Sequence, residues 1–195
     1  MKKDIILAGV GGQGILSIAA VIGSAALQIG MYIKQSEVHG MSQRGGDVMS
    51  NLRISDREIF SDLIPCGKAD LIISVEPMEA LRHISSLAPD GWLVTNKTPV
   101  KNTLDYPDTE KIIEEIKKLP NHIIIDADSI AKDLGASQSA NMVILGAACP
   151  FLDNVGLDIN KGIHTIFGRK GEKVVNTNLE ALKVGREFTR AILKN

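Results

Sequence analysis

The chain has 195 residues, of which 44% are hydrophobic but only 4% aromatic, so its core must be built mainly from aliphatic side chains. This length is typical of one large domain, here residues 1–195. A chain of this length needs no disulfide or metal to fold. With 22 Lys and Arg against 23 Asp and Glu, the formal net charge is -1. This balance argues against a role in binding nucleic acid or anionic membranes.

The N-terminal part of the chain predicts a strand, a glycine-rich turn and a helix. Residues 3–8 are an apolar run typical of a strand buried on both faces of a parallel sheet. A helix is predicted over 15–29, ended by Gly30. A second short strand is predicted over 31–34, and the polar residues 35–46 are predicted to be a loop.

Strands and helices alternate along the rest of the chain. Residues 48–54 alternate in polarity, and we expect residues 57–60 to pair with them as an antiparallel hairpin. Further strands are predicted over 69–75, 91–95 and 123–126. Further helices are predicted over 77–85, 109–119, 128–134 with Asp128 as N-cap, 141–148 and 178–193. The alternation predicts an α/β fold: a single Rossmann-like three-layer domain with a mainly parallel sheet and a small hairpin addition.

Several classes of protein are disfavoured by the residues present. Asp4 and the glycine-rich turn interrupt the apolar stretch that ends near residue 29, so we interpret it as buried structure in a cytoplasmic protein. The two cysteines, Cys66 and Cys149, form no CxxC pair, and the four histidines are scattered. We therefore predict no metal site in this chain.

The first motif is G-x-G-x-x-G at Gly9, Gly11 and Gly14, between the first strand and the first helix. Glycines in this position let the backbone approach a phosphate that the helix N-terminus attracts. A dinucleotide site also requires an acid on the second strand, and the first acid, Glu37, comes 23 residues after Gly14 in the predicted loop. Phosphate binding and a purely structural turn both remain open.

The second motif is Q-S-E-V-H-G-M-S-Q-R-G-G at residues 35–46. It places Glu37, His39 and Arg44 in one predicted loop at the carboxyl end of a strand, where α/β proteins bind ligands. Arg44 followed by Gly45 and Gly46 presents a guanidinium and open backbone N–H groups to an anion. The alternative is a solvated connection whose charges cap neighbouring elements.

The blocks G-V-G-G-Q-G-I-L, Q-S-E-V-H-G-M-S-Q-R-G-G and N-M-V-I-L-G-A together resemble the gamma-type subunits of 2-oxoacid:ferredoxin oxidoreductases. The resemblance covers essentially the whole chain and favours the aryl-pyruvate branch. It implies oxidative decarboxylation of indolepyruvate with CoA and oxidised ferredoxin, giving indoleacetyl-CoA, carbon dioxide and reduced ferredoxin. It also implies a larger alpha subunit that carries thiamine diphosphate and iron–sulfur clusters, so the isolated chain is expected to be inactive.

The resemblance assigns roles to both motifs. CoA is the expected ligand of this chain, with its phosphates near Gly9, Gly11, Gly12, Gln13 and Gly14. The second motif is expected to line a site shared with the alpha subunit. Its cofactor-binding candidates are Ser42, Gln43, Arg44, Gly45 and Gly46, and its catalytic candidates are Glu37, His39 and Arg44.

Three alternatives remain beside this reading. The substrate could be another 2-oxo acid: pyruvate, 2-oxoglutarate or a branched-chain acid. A stand-alone NAD(P)-dependent dehydrogenase would need a ribose-binding acid and a catalytic donor–acceptor pair, neither of which is evident. A non-catalytic interaction module would keep the glycine turn without its ligand. A homodimer of the isolated chain is also left open.

Overall fold

A computed structural model describes residues 1–40, 45–103 and 105–194, and within them six strands form one sheet. The strands are β1 (Lys2–Val10), β2 (Tyr32–His39), β3 (Asp47–Ser55), β4 (Ala69–Ser74), β5 (Leu87–Asn96) and β6 (His122–Ile125). Their order across the sheet is β2-β3-β1-β4-β5-β6. The pairs β1/β4, β4/β5 and β5/β6 are parallel, whereas β1/β3 and β2/β3 are antiparallel.

Helices cover both faces of the sheet. They are α1 (Ile15–Gln28), α2 (Pro77–Arg82), α3 (Thr109–Lys117), α4 (Ala127–Asp133), α5 (Ala140–Ala148), α6 (Ile159–Phe167) and α7 (Glu172–Leu193). One buried cluster joins α1, α4, α5, α6 and α7 to one face, and a smaller cluster joins α2 and α3 to the other. The predicted α/β fold with three layers is thereby confirmed. In the described ranges, no helix is both long and apolar enough to span a bilayer.

The central strand β1 is buried on both faces, as its continuous apolar run predicts. Ile5 and Leu7 enter the larger cluster, whereas Ile6 between them enters the smaller one. Alternate side chains of a strand point to opposite faces of the sheet, so a strand covered on both sides is apolar at consecutive positions, as residues 5–8 are. Burial on both faces therefore holds in place the strand whose carboxyl end leads into the glycine turn.

The predicted hairpin of residues 48–54 with residues 57–60 is wrong. Residues 57–60 are not a strand; β3 pairs with β2 instead, which runs through Gln35–His39, where a loop was predicted. Because β2 is the outermost strand and largely exposed on both faces, it carries no apolar alternation that would reveal it. After β3 the chain forms an irregular loop. Arg53 of β3 holds this loop, because its guanidinium donates hydrogen bonds to the carbonyls of Ser61 (3.1 Å) and Leu63 (3.0 Å).

Three helix predictions also need correction. Asp126, rather than Asp128, caps α4, because its carboxylate accepts a hydrogen bond from the Ser129 amide at 3.1 Å. Helix α6 was not predicted, although Asp158 caps it in the same way through the Lys161 amide at 3.1 Å. The last helix begins at Glu172 rather than at residue 178, so it reaches back towards the carboxyl edge of the sheet.

Candidate functional site

The glycine turn connects β1 to α1 at the carboxyl edge of the parallel strands. Gly12 (φ 101°) and Gly14 (φ 79°) adopt the left-handed conformation, which in the described residues only glycines do. Gly14 is the N-cap of α1, with no side-chain cap and no acidic residue in the first turn. The positive end of the α1 dipole is therefore not neutralised from within its own first turn.

Close packing requires a glycine at position 9, and the contact of Gly9 with a ligand stays a prediction. A Cβ atom at this position would overlap the Val75 side chain and lie 2.9 Å from Cδ1 of Ile15. Gly9 thus lets β1, the end of β4 and the start of α1 meet. At Gly12, by contrast, the space that a Cβ would occupy is open, so the backbone is accessible from outside the turn.

Gln13 supports the turn with both ends of its side-chain amide. Its oxygen accepts a hydrogen bond from the Val10 amide at 2.7 Å, and its nitrogen donates to the Val75 carbonyl at 3.1 Å. These contacts join the carboxyl ends of β1 and β4 across the sheet. The contact of Gln13 with a ligand stays a prediction.

A cleft of about 1010 Å³ opens beside the turn. The residues 12–14 form one wall, the start of α5 a second, and the start of α7 a third. Lys170 and Lys173 face it, and Lys170 also lies 5.4 Å from the centre of the Phe167 ring. The Asn141 amide donates to the Gly14 carbonyl at 3.2 Å and so fastens α5 to the turn.

Most polar side chains of the cleft were missed from the sequence. Beyond Ser17 at the start of α1, they comprise Asn96, Asp128, Ser137, Gln138, Ser139, Asn141, Lys170, Lys173, Thr177 and Asn178. They lie far beyond the glycine motif in the chain, and no local pattern distinguishes the lysines from those of any solvated helix. The available signal was Asn141, which opens the block N-M-V-I-L-G-A. Its helix proves to be buried core, with Asn141 at the half-buried start.

Glu37 and His39 of the second motif come together on one face of β2. Nε2 of His39 lies 3.1 Å from Oε2 of Glu37, and Oε1 of Glu37 accepts a hydrogen bond from the Gln35 amide at 2.6 Å. The His39 side chain remains 51% exposed, so this pair lies at the protein surface. The other candidates Ser42, Gln43 and Arg44 lie outside the described residues.

The two motifs meet through the last residues of the loop between β2 and β3. The Gly11 amide donates to the Gly46 carbonyl at 2.8 Å, and the Asn102 side chain donates to the Gly45 carbonyl at 2.7 Å. Gly45 has a left-handed backbone, φ 82°. Sequence reasoning placed both motifs at the carboxyl edge, and the structure brings Gly11 and Gly46 into direct contact.

Behind this loop lies a buried acidic pair. The fully buried Glu76 accepts hydrogen bonds from the Glu79 amide (2.8 Å), the Val100 amide (3.3 Å) and the Tyr106 hydroxyl. Glu79 is also buried, and burial raises its pKa to about 7; Arg82 at 3.4 Å opposes the shift, while the charges of Glu76 and Asp47 add to it. Near neutral pH Glu79 therefore holds or releases a proton.

The described residues include no group of three or more His, Cys, Asp or Glu side chains that could hold a metal ion. Of the two cysteine thiols, that of Cys66 is exposed and that of Cys149 is buried in the larger core cluster.

Comparison with known sequences gives matches over nearly the whole chain. The family described as pyruvate ferredoxin/flavodoxin oxidoreductase matches residues 4–188. The indolepyruvate oxidoreductase subunit IorB of Archaeoglobus fulgidus is 34% identical over 95% of this chain and 94% of its own length. The subunit of the same name from Pyrococcus horikoshii is 39% identical over 75% of this chain and 77% of its own.

Solved structures share the fold. The gamma subunit of a keto/oxoacid ferredoxin oxidoreductase from Geobacter sulfurreducens superposes with a TM-score of 0.70 at 24% identity, covering 97% of this chain and 99% of that one. The 2-oxoglutarate:ferredoxin oxidoreductase of Magnetococcus marinus, solved with 2-oxoglutarate, coenzyme A and succinyl-CoA bound, gives 0.73 at 23% identity. This chain aligns over 97% of its length there but spans only 31% of that longer polypeptide.

Proposed function

Because this chain belongs to the pyruvate ferredoxin/flavodoxin oxidoreductase family, we propose that it is the gamma-type subunit of an oxidoreductase that acts on indolepyruvate and related aryl pyruvates. The family resemblance carried by the two motifs is thereby confirmed. The observation that carries the choice of substrate is the similarity to indolepyruvate subunits, which extends over nearly the entire chain. The enzyme would convert indolepyruvate and CoA to indoleacetyl-CoA and carbon dioxide while reducing ferredoxin.

The cofactors of that reaction belong to a larger partner in this proposal. A four-iron cluster takes four thiolates, and this chain has two cysteines in all. Thiamine diphosphate and the iron–sulfur clusters would be held by an alpha subunit, which would also receive ferredoxin. The isolated chain would therefore be inactive. We also propose that the protein is cytoplasmic, and homodimerisation of the isolated chain is left open.

CoA is the ligand proposed for the cleft beside the glycine turn. The open backbone at Gly12, the uncapped start of α1 and the two lysines supply hydrogen-bond donors and positive charge for phosphate groups. The cleft volume of about 1010 Å³ is at the upper end of the range for small-molecule sites. When bound, CoA would supply the thiol that accepts the acyl group.

Residues of the second motif would act at the boundary with the alpha subunit. His39 and Glu37 form a surface pair that can hold or pass a proton at the imidazole nitrogen. In the proposal, Ser42, Gln43 and the Arg44 guanidinium complete this edge, and Arg44 would grip a carboxylate or phosphate with two parallel hydrogen bonds. The role of these residues is to orient the reacting groups and exclude water where the two subunits meet.

The sheet order argues against the dehydrogenase alternative. In a dinucleotide site the second strand lies beside the first, so that its terminal acid reaches the ribose. Here β3 separates β2 from β1, and the Glu37 carboxylate already binds Gln35 and His39. A stand-alone NAD(P)-dependent enzyme is thus disfavoured by topology and by the side chain itself.

The proposal is tested by purifying the chain both alone and co-expressed with its large partner. The complex should reduce a ferredoxin-like acceptor with indolepyruvate and CoA, and more slowly with pyruvate or 2-oxoglutarate, whereas the chain alone should show no turnover. Calorimetric titration of the isolated chain should detect CoA and not NADH. Turnover by the chain alone, or a preference for pyruvate, would overturn the respective part of the proposal.

A further inference from the structure

The side chain of Asn102 lies between the two motifs without belonging to either. Its amide donates to the Gly45 carbonyl at 2.7 Å, and the next residue, Gly46, accepts the Gly11 amide at 2.8 Å. Two hydrogen bonds, joined through the Gly45–Gly46 backbone, therefore link Asn102 to the glycine turn. Asn102 belongs to the segment 97–103, which follows β5 and has no regular secondary structure.

The segment 97–103 is itself fastened at several points. The Lys97 amide donates to the Ile125 carbonyl at 2.8 Å, and the Val100 amide donates to the buried Glu76 carboxylate at 3.3 Å. Just after the segment, the Tyr106 hydroxyl donates to the same Glu76 oxygen. Burial and this contact raise the pKa of Tyr106 well above its usual range, so the phenol stays a donor. Asn102 is thus presented from a fixed support.

We propose that Asn102 is a positioning residue of the oxidoreductase: its amide holds the end of the second motif against the glycine turn, so that both motifs reach the shared site in one geometry. This inference rests on the function proposed above. It needs a donor at Asn102, because the partner is a carbonyl oxygen. The contact stabilises loop geometry rather than the core, since Gly45 and Gly46 lie outside every helix and strand.

Asn102→Asp tests the donor without changing the shape of the side chain. Asn121→Asp is the matched control, because Asn121 also donates to a backbone carbonyl, that of Asp90 at 3.4 Å, but at the amino edge of the sheet. The first readout is hydrogen exchange of the Gly11 amide, followed by NMR in the isolated full chain. We expect exchange about tenfold faster in Asn102→Asp and unchanged exchange in Asn121→Asp.

The second readout is steady-state turnover of the complex. Asn102→Asp should lower kcat about tenfold while leaving KM for ferredoxin unchanged, because misplacement at the reacting groups affects chemistry rather than acceptor docking. Asn102→Gln retains the amide on a longer stem and should recover part of the loss. Asn121→Asp should behave like the parent.

Each outcome tests one of three claims: the positioning contact, its role in the reaction, or the proposed function. Unchanged Gly11 exchange in Asn102→Asp overturns the positioning contact. Faster exchange with unchanged kcat shows that the contact exists but does not serve the reaction, which also overturns the proposal. A parent complex that does not turn over indolepyruvate defeats the proposed function instead, and the exchange measurement on the isolated chain remains an independent test of the contact.

Discussion

The glycine turn and the β2–β3 hairpin meet at one edge of the sheet but are held in different ways. The turn is enclosed: Gly9 packs under Val75, Gln13 bonds two strand ends, and Asn141 binds Gly14 from α5. In the hairpin, β2 is an outer strand whose Glu37–His39 pair lies at the protein surface. In the proposed function, the first region would therefore bind its ligand through a rigid backbone, and the second would act through side chains that the alpha subunit buries.

If the turn depends on backbone geometry, Gly14→Ala should have the largest effect on stability. A Cβ there is strained by the left-handed backbone and overlaps the Asn141 amide, so we expect a loss of about 3 kcal/mol in the free energy of unfolding. Gly30→Ala is the matched control, with φ 74° and open space, and should lose about 1 kcal/mol. Urea denaturation measures both, and equal losses would show that the contact with Asn141 is unimportant.

The buried Glu79 should make the stability of the protein depend on pH. Its pKa is raised from 4.5 to about 7, so between these values the folded chain keeps a proton that the unfolded chain has lost. Stability should therefore fall as the pH rises through this window, by on the order of 2 kcal/mol relative to Glu79→Gln. The exposed Glu115→Gln should reproduce the parent profile in thermal unfolding across pH, and parallel profiles for parent and Glu79→Gln would contradict the prediction.

The support that Gln13 gives to the turn should be measurable by removing its two hydrogen bonds. Gln13→Ala should reduce the free energy of unfolding by about 1.5 kcal/mol, because the partners are backbone groups in a partly buried place. Gln28→Ala, which removes an exposed bond to Thr165, should cost less than about 0.5 kcal/mol. If both variants are equally mild in chemical denaturation, Gln13 is freer to contact a ligand than its hydrogen bonds indicate.

The smallest stability effect should come from the hairpin, together with a separate effect on catalysis. His39→Gln should change the free energy of unfolding by less than about 0.5 kcal/mol, since its partner Glu37 is also accessible to water. In the complex, however, it should lower kcat for indolepyruvate about tenfold if the imidazole transfers a proton. His164→Gln on α6 is the exposed control, and equal turnover of the two variants would remove His39 from the mechanism.

The sequence predicted the parts of the fold that burial dictates. Residues 5–7 have a strand pattern because both faces of β1 are covered, and the helix of residues 141–148 is apolar because it is core. Strand β2 was only partly predicted, since an outer strand with two exposed faces carries no alternation. Residues 126 and 128 are both aspartates, and only the actual start of α4 decides which one caps it.

The candidate site was predictable only where it is continuous in the chain. The glycine turn and the Glu37–His39 pair each lie within a few residues, so their chemistry could be read locally. Lys170, just before α7, and Lys173, within it, line the cleft beside the turn because α7 packs against α5. Asn102 reaches it through an irregular segment whose path depends on the buried Glu76 carboxylate. No periodicity in sequence encodes such long-range encounters.

The placement of β1 between β3 and β4 has a consequence for how the chain is made. Ile5 faces Leu52 on one side and Leu71 on the other, so during synthesis β1 leaves the ribosome well before either neighbour exists. The β2–β3 hairpin is local and can close within about 10 μs, whereas β1 must wait for loop closures spanning dozens of residues. Strand β1 thus stays without a neighbouring strand for longer during synthesis than β2 does.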